Sequence, residues 1–139
     1  MKAASDKDIL ILASGEGRSY EMGDMTAIFK ADEDETAARY SISEWWLEPG
    51  CAGPGAHSHQ DNDEIFYVLH GTAGILTGEQ WNDVSAGAFI RIPAGIIHDF
   101  RNTTEHRACL LNFFIPGGFE RNMPMIVDWF AKQASQETP

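Results

Sequence analysis

Only two cysteines occur in this chain, Cys51 and Cys109, which leaves room for at most one bridge. A disulfide framework and a thiolate zinc cluster are thereby excluded. Basic side chains are also scarce, with 10 Lys and Arg against 21 Asp and Glu and a formal net charge of -11. A field of that sign repels phosphate backbones and anionic lipid surfaces, so nucleic acid and membrane are not expected as partners. No apolar run approaches the roughly 20 residues a membrane helix requires. Lys2, Asp6, Lys7 and Asp8 place charge where a secretory signal would build its apolar segment, and the expectation is a cytoplasmic protein. Internal repeats and low-complexity segments are missing as well. At 139 residues the chain suits one well-buried core, with no spare length for a helix-turn-helix beside it.

Histidines and glycines at regular spacing are what the sequence does contain. His57 and His59 flank Ser58, and residues two apart in a strand share a face, so both imidazoles can point to one side of a sheet. Glu64 opens an apolar run closed by Gly71, and Gly87 begins a second block that passes through Pro93-Ala94-Gly95 to His98 and Asn102. Two imidazoles, a carboxylate and a remote third imidazole form a plausible shell for one divalent metal ion. A lone His-x-His would be weak evidence, because neighbouring surface histidines are common.

The two blocks together resemble the paired motifs of the cupin superfamily. That pattern is His-x-His, four residues, Glu, six residues, Gly, then Gly, five residues, Pro-x-Gly, two residues, His, three residues, Asn, and every position is filled. One departure stands before the first histidine, where Cys51 occupies a place often held by glycine. The resemblance implies an all-β fold, a cupin jelly-roll β-barrel with a short C-terminal helix, and metal ligation by His57, His59, Glu64 and His98. It further implies a homodimer, in which an N-terminal strand packs on the partner subunit. Within the superfamily the chain looks most like small single-domain relatives of quercetin 2,3-dioxygenase. Gly23-Asp24-Met25-Thr26, the Glu64-Ile65-Phe66-Tyr67 passage and Pro116-Gly117-Gly118-Phe119-Glu120-Arg121 carry that narrower likeness.

Taken in order, residues 1–35 read as N-terminal strands and an acidic loop, 36–116 as the barrel, and 117–139 as helix and tail. Ile9 to Leu12 reads as a first strand and Met25 to Lys30 as a second; Ala31 to Glu35 reads as a solvated loop. From Thr36 to Glu48 the chain is β-prone, with Tyr40, Ile42, Glu44 and Trp46 on one face and Ser41, Ser43, Trp45 and Leu47 on the other. After Glu64, alternation puts Phe66, Val68 and His70 on the metal side. Residues 72–77 and 80–84 around Gly78-Glu79 form a hairpin signal, and further strands are expected over 88–92, 97–101 and 107–115. Met123, Ile126, Val127, Phe130 and Ala134 follow helical spacing, read as core packing with a lid over the barrel mouth as the alternative.

Three histidines and a carboxylate leave one or two coordination positions open, the mark of a working site. The donor types suit Fe, Mn, Co, Ni, Zn or Cu, so metal identity is not readable. Glu64 serves as a ligand or as a general base, and is the candidate catalytic residue. Phe66, Phe100, His70, Tyr40, Trp46 and Phe114 are the candidate substrate pocket, with Phe66 and Phe100 the foremost walls because each stands two residues from a ligand. The expected partner is a small molecule. Three functions fit: a dioxygenase acting on a small aromatic or enol-forming compound, a metal-dependent isomerase, cyclase or lyase, and a non-catalytic binding protein.

Overall fold

The structure, a computed structural model, describes residues 6–137. Among the described residues are nine strands: β1 (Arg18–Met22), β2 (Met25–Ala31), β3 (Ser41–Leu47), β4 (Asp63–His70), β5 (Thr72–Thr77), β6 (Gln80–Ser85), β7 (Phe89–Ile92), β8 (His98–Arg101) and β9 (Ala108–Ile115). A single helical turn, α1 (Glu33–Thr36), follows β2, and a 3-10 turn (Phe119–Asn122) leads into α2 (Met123–Glu137). Every strand pairing is antiparallel. The larger sheet has the order β1-β2-β3-β9-β4-β7 and the smaller β6-β5-β8. This is the all-β jelly roll with a C-terminal helix that the family resemblance implies.

The two sheets meet across one core. Phe29, Leu47, Phe66, Val68 and Leu110 come from the larger sheet, Ile75 and Phe100 from the smaller. Phe66 on β4 meets Phe100 on β8 edge to face at 5.5 Å between ring centroids, and Trp45 on β3 meets the same Phe100 at 5.7 Å. The β5–β6 hairpin turns at Gly78, whose φ of 66 degrees is in the left-handed region that the two-residue turn requires. Gly53 allows a close approach, because a Cβ there would stand 1.7 Å from the Phe100 carbonyl oxygen. The loop that carries His57 can therefore lie directly on β8.

Several expectations from the sequence are corrected here. Ile9 to Leu12 forms no strand: Ile9 is 90% and Ile11 86% exposed, and the edge strand β1 begins only at Arg18. Four apolar residues signal a strand only where a neighbour offers its ladder, and β1 pairs with β2 alone. Asp32 is not solvated. It is 1% exposed and its carboxylate accepts the backbone N–H groups of Gly118 and Glu120 at 2.6 and 2.7 Å. The β-prone segment starts at Ser41 instead of Thr36, since α1 and the left-handed Ala37 and Ala38 break it. Finally, a bulge where Val68 faces Leu110 and His70 faces Cys109 shifts β4 by one residue. That slip turns His70 outward, against the simple alternation from Glu64.

Candidate metal centre

The four predicted ligands come from three places in the chain and converge. His57 belongs to the loop after β3 and is fixed to β8 by an isolated bridge: its N–H donates to the His98 carbonyl at 2.9 Å and its carbonyl accepts the His98 N–H at 2.8 Å. His59 sits between that bridge and β4, Glu64 on β4, and His98 at the start of β8. One ligating atom from each lies within 4.8 Å of all the others. His98 Nε2 is 3.0 Å and His59 Nε2 3.4 Å from Glu64 Oε2. The longer contact is an ion-pair distance without a hydrogen bond, and His59 Nε2 is a buried atom with no hydrogen-bond partner among the described residues.

Backbone carbonyls settle the imidazole tautomers. Nδ1 of His57 lies 2.6 Å from the Gly55 carbonyl oxygen and Nδ1 of His98 2.9 Å from that of Ile96. A carbonyl only accepts, so each Nδ1 carries the proton and each Nε2 presents its lone pair to the cluster. In His98 that lone pair faces the Glu64 carboxylate, acceptor against acceptor, and the arrangement needs a proton or a metal cation between them. Burial works against the Glu64 charge, yet contact with the His59 and His98 imidazoles outweighs it and holds the carboxyl below its usual 4.5. Burial likewise opposes charge on His98, and the Glu64 contact wins, raising it above 6.5. His57 is lowered, chiefly by burial, which keeps it neutral and ready to ligate. An unpartnered imidazole nitrogen, two oriented lone pairs and one buried carboxylate fit a divalent metal of borderline character.

A cavity of about 400 Å³ opens beside this cluster, with His57, His59 and Glu64 in its wall. Trp45, Phe100, Phe114, Phe119, Trp129 and Phe130 supply aromatic surface. Phe119 stacks on Phe114 at 4.2 Å, and both rings stand nearly perpendicular to His59 at 5.7 and 5.0 Å between centroids. No Lys or Arg lines the cavity among the described residues.

Of the predicted pocket residues, Phe100 and Phe114 stand in the lining. Phe66 is 1% exposed behind Phe100, a core residue that backs the wall without forming it. Tyr40, Trp46 and His70 lie elsewhere. Trp46 is on the outer face of β3, under the Arg107 guanidinium and beside His70, while Tyr40 borders a separate surface hollow with Ile42 and Glu44. The alternation in β3 was legible, but its bulky outer face drew attention from the inner one, where Trp45 hydrogen-bonds the Ser43 hydroxyl at 2.9 Å. Asn112 also escaped the sequence reading; its Nδ2 donates to Glu64 Oε1 at 3.1 Å. Asp99, 6% exposed, accepts the N–H groups of Gly55 and Phe100 and so ties the His57 loop to β8. α2 is both core and cavity wall: Met123 is buried, and Met125, Ile126, Trp129 and Phe130 face the opening.

Comparison with known proteins places these features in a wider set. The family model for the cupin domain matches residues 43–114. Over 115 residues the chain is 28% identical to the quercetin 2,3-dioxygenase of Bacillus subtilis strain 168, covering 79% of this chain and 32% of that enzyme. A 54-residue stretch is 33% identical to an uncharacterised protein of Streptomyces coelicolor, covering 39% of this chain and 51% of the relative. The chain thus spans about a third of the length of the first and about half of the second. Among solved structures, a predicted oxalate decarboxylase from Thermotoga maritima superposes with a TM-score of 0.70 at 20% identity, over 77% of this chain and 99% of that one. An RmlC-like cupin from Shewanella frigidimarina gives 0.69 at 15% identity, over 82% and 96%. At these identities the two structures speak to the fold alone.

Proposed function

The chain belongs to the cupin domain family, and on that premise we propose that it is a metal-dependent dioxygenase acting on a planar, hydroxylated aromatic or enol-forming compound. The observation that carries this reading is the placement of Glu64, a buried carboxylate shared between imidazoles, at the edge of an aromatic cavity. The partial likeness to the Bacillus quercetin 2,3-dioxygenase points the same way. When bound by His57, His59, Glu64 and His98, a redox-active metal supplies Lewis acidity and a route for electrons between substrate and dioxygen.

The chain's own residues do the rest. Aromatic walls at Trp45, Phe100 and Phe114 favour a flat apolar body over a compact, strongly hydrated one. With no cationic side chain in the described lining, an anionic substrate would have the metal alone to pair with, and the aromatic walls favour a flat apolar body beyond the metal-binding group. Glu64 Oε2, kept ionised by its neighbours, takes the proton of a substrate hydroxyl brought into the cavity. The apolar face of α2 limits water beside that hydroxyl.

The first prediction concerns metal and turnover together. Purified protein is expected to carry about one metal per chain by mass spectrometry, and the His57→Ala, His98→Ala double variant to carry none. Oxygen consumption is then measured with a flavonol and with the flavone that lacks its 3-hydroxyl. Uptake with the flavonol alone is expected, and Glu64→Gln should slow it by roughly 10²- to 10⁴-fold. Absence of uptake by the Fe, Mn, Co, Ni and Cu forms alike would falsify the oxygenase reading.

A further inference from the structure

Asn112 stands in the middle of β9, in register with Ser43 on β3 and Phe66 on β4, and is 1% exposed. Its neighbours along the same face are Leu110 and Phe114, both buried and apolar. An amide at such a position is costly, because a buried polar atom left without a partner loses about 1–3 kcal/mol. One half of this amide is in that condition: Asn112 Oδ1 has no hydrogen-bond partner among the described residues. The other half makes one bond, from Nδ2 to Glu64 Oε1. Turning the amide over would set Oδ1 against an ionised carboxylate oxygen, so the donor end must face Glu64. Packing alone would be served by leucine, as at Leu110. Asn112 also lines the cavity, and the hydrogen bond among the described residues that a leucine could not make is its hold on the carboxylate.

That hold divides the work of the two Glu64 oxygens. Oε1 is engaged by Asn112, and Oε2 is the oxygen that approaches His98 at 3.0 Å and His59 at 3.4 Å. A carboxylate with both oxygens unrestrained can rotate about its last bond or chelate through both. One pinned at Oε1 offers a single oxygen in a fixed direction.

We propose that Asn112 is a positioning residue, which pins Glu64 through Oε1 so that Oε2 alone is presented to the three histidines. The proposal rests on the metal-binding reading of the cluster but on no particular substrate or reaction. Its test uses the full chain and Co(II) alone, with two readouts: the dissociation constant by calorimetry and the visible d–d spectrum of the bound ion. Asn112→Leu keeps volume and removes the donor; Asn112→Ala removes the donor without adding branched methyls, in case the leucine does not fit. Ser43→Ala is the control, since Ser43 lies beside Asn112 in register and bonds Trp45. Loss of the pin is expected to weaken Co(II) binding about 10-fold or more and to alter the spectrum as the carboxylate changes its mode of ligation. Ser43→Ala is expected to keep wild-type affinity and spectrum. If the Asn112 variants lose thermal stability yet bind Co(II) with the wild-type constant and spectrum, Asn112 serves the fold alone and the proposal is overturned. If wild-type protein itself takes up no Co(II), the metal-binding reading fails first; wild-type binding with unaltered Asn112 variants sinks only the role of Asn112.

Discussion

His98 and Glu64 titrate in opposite senses, and the pH behaviour of the site follows from that pair. The Glu64 carboxyl is held below 4.5 in the fold, so its stabilising contribution is present above that pH and lost as pH falls through the lowered value. His98 is raised above 6.5, so its contribution is present below that pH and lost as pH rises through the raised value. This pair alone favours metal-free protein between about pH 4.5 and 6.5, and His57, held below 6.5 chiefly by burial, disfavours the lower part of that window, so the melting maximum is expected toward pH 6.5 with loss of stability as pH falls. Metal binding has the opposite slope, because the cation must displace the His98 proton. Calorimetry across that range should show affinity rising with pH and protons released; affinity that falls from pH 6 to about 7.5 would contradict the ligand assignment. The cysteines give a second prediction at this scale. Cys51 and Cys109 are free and buried, and burial pushes both thiols up, Cys109 to about 12. Neither should react with an aromatic disulfide reagent in native protein, and both should react on unfolding. Fast labelling of the native chain would show that β3, β9 or the loop after Pro49 opens.

Among the elements, α2 decides how the cavity is closed, and two carboxylates help to fix the turn that leads into it. Asp32, just after β2, receives two N–H groups from the turn that leads into the helix. Glu120 in that turn accepts hydrogen bonds from Arg18 and Tyr20 on β1. Phe119, held between these anchors, stacks on Phe114 against His59. Replacing Asp32 by Ala removes two buried charge-assisted bonds and is expected to cost roughly 2–4 kcal/mol. Hydrogen exchange should locate the damage: amides of residues 118–130 lose protection while those of β4 and β9 keep theirs. Uniform loss across the sheets would mean that Asp32 supports the whole fold and not the helix entry.

For the molecule as a whole, the candidate metal site joins the two sheets, Glu64 coming from the larger and His98 from the smaller. A ligand bound only by the folded arrangement stabilises it by mass action, about 2.7 kcal/mol at a free concentration 100 times the dissociation constant. Thermal melts of wild type should shift upward with added metal, and those of the His57→Ala, His98→Ala variant should not. Much of this was written in the primary sequence. His57, His59, Glu64 and His98 were named from two spaced motifs and the family resemblance they carry, and most of the strands, the Gly78-Glu79 turn and the C-terminal helix from patterning, although Ile9 to Leu12 forms no strand. Such features depend on local chemistry: alternation, turn residues and a fixed interval between ligands. What alternation cannot carry is phase beyond an irregularity, so the bulge at Val68 to His70 reversed the expected direction of His70. Nor does a strand with bulk on both faces declare its inner side, which is why Trp45 and not Trp46 reached the cavity. Asp32, Asn112 and the docking of α2 were decided only in three dimensions, because each acts through a partner at least 48 residues away in the chain. The sequence by itself determined which atoms could hold a metal; the tertiary structure decided which oxygen of Glu64 faces them and what kind of surface surrounds them.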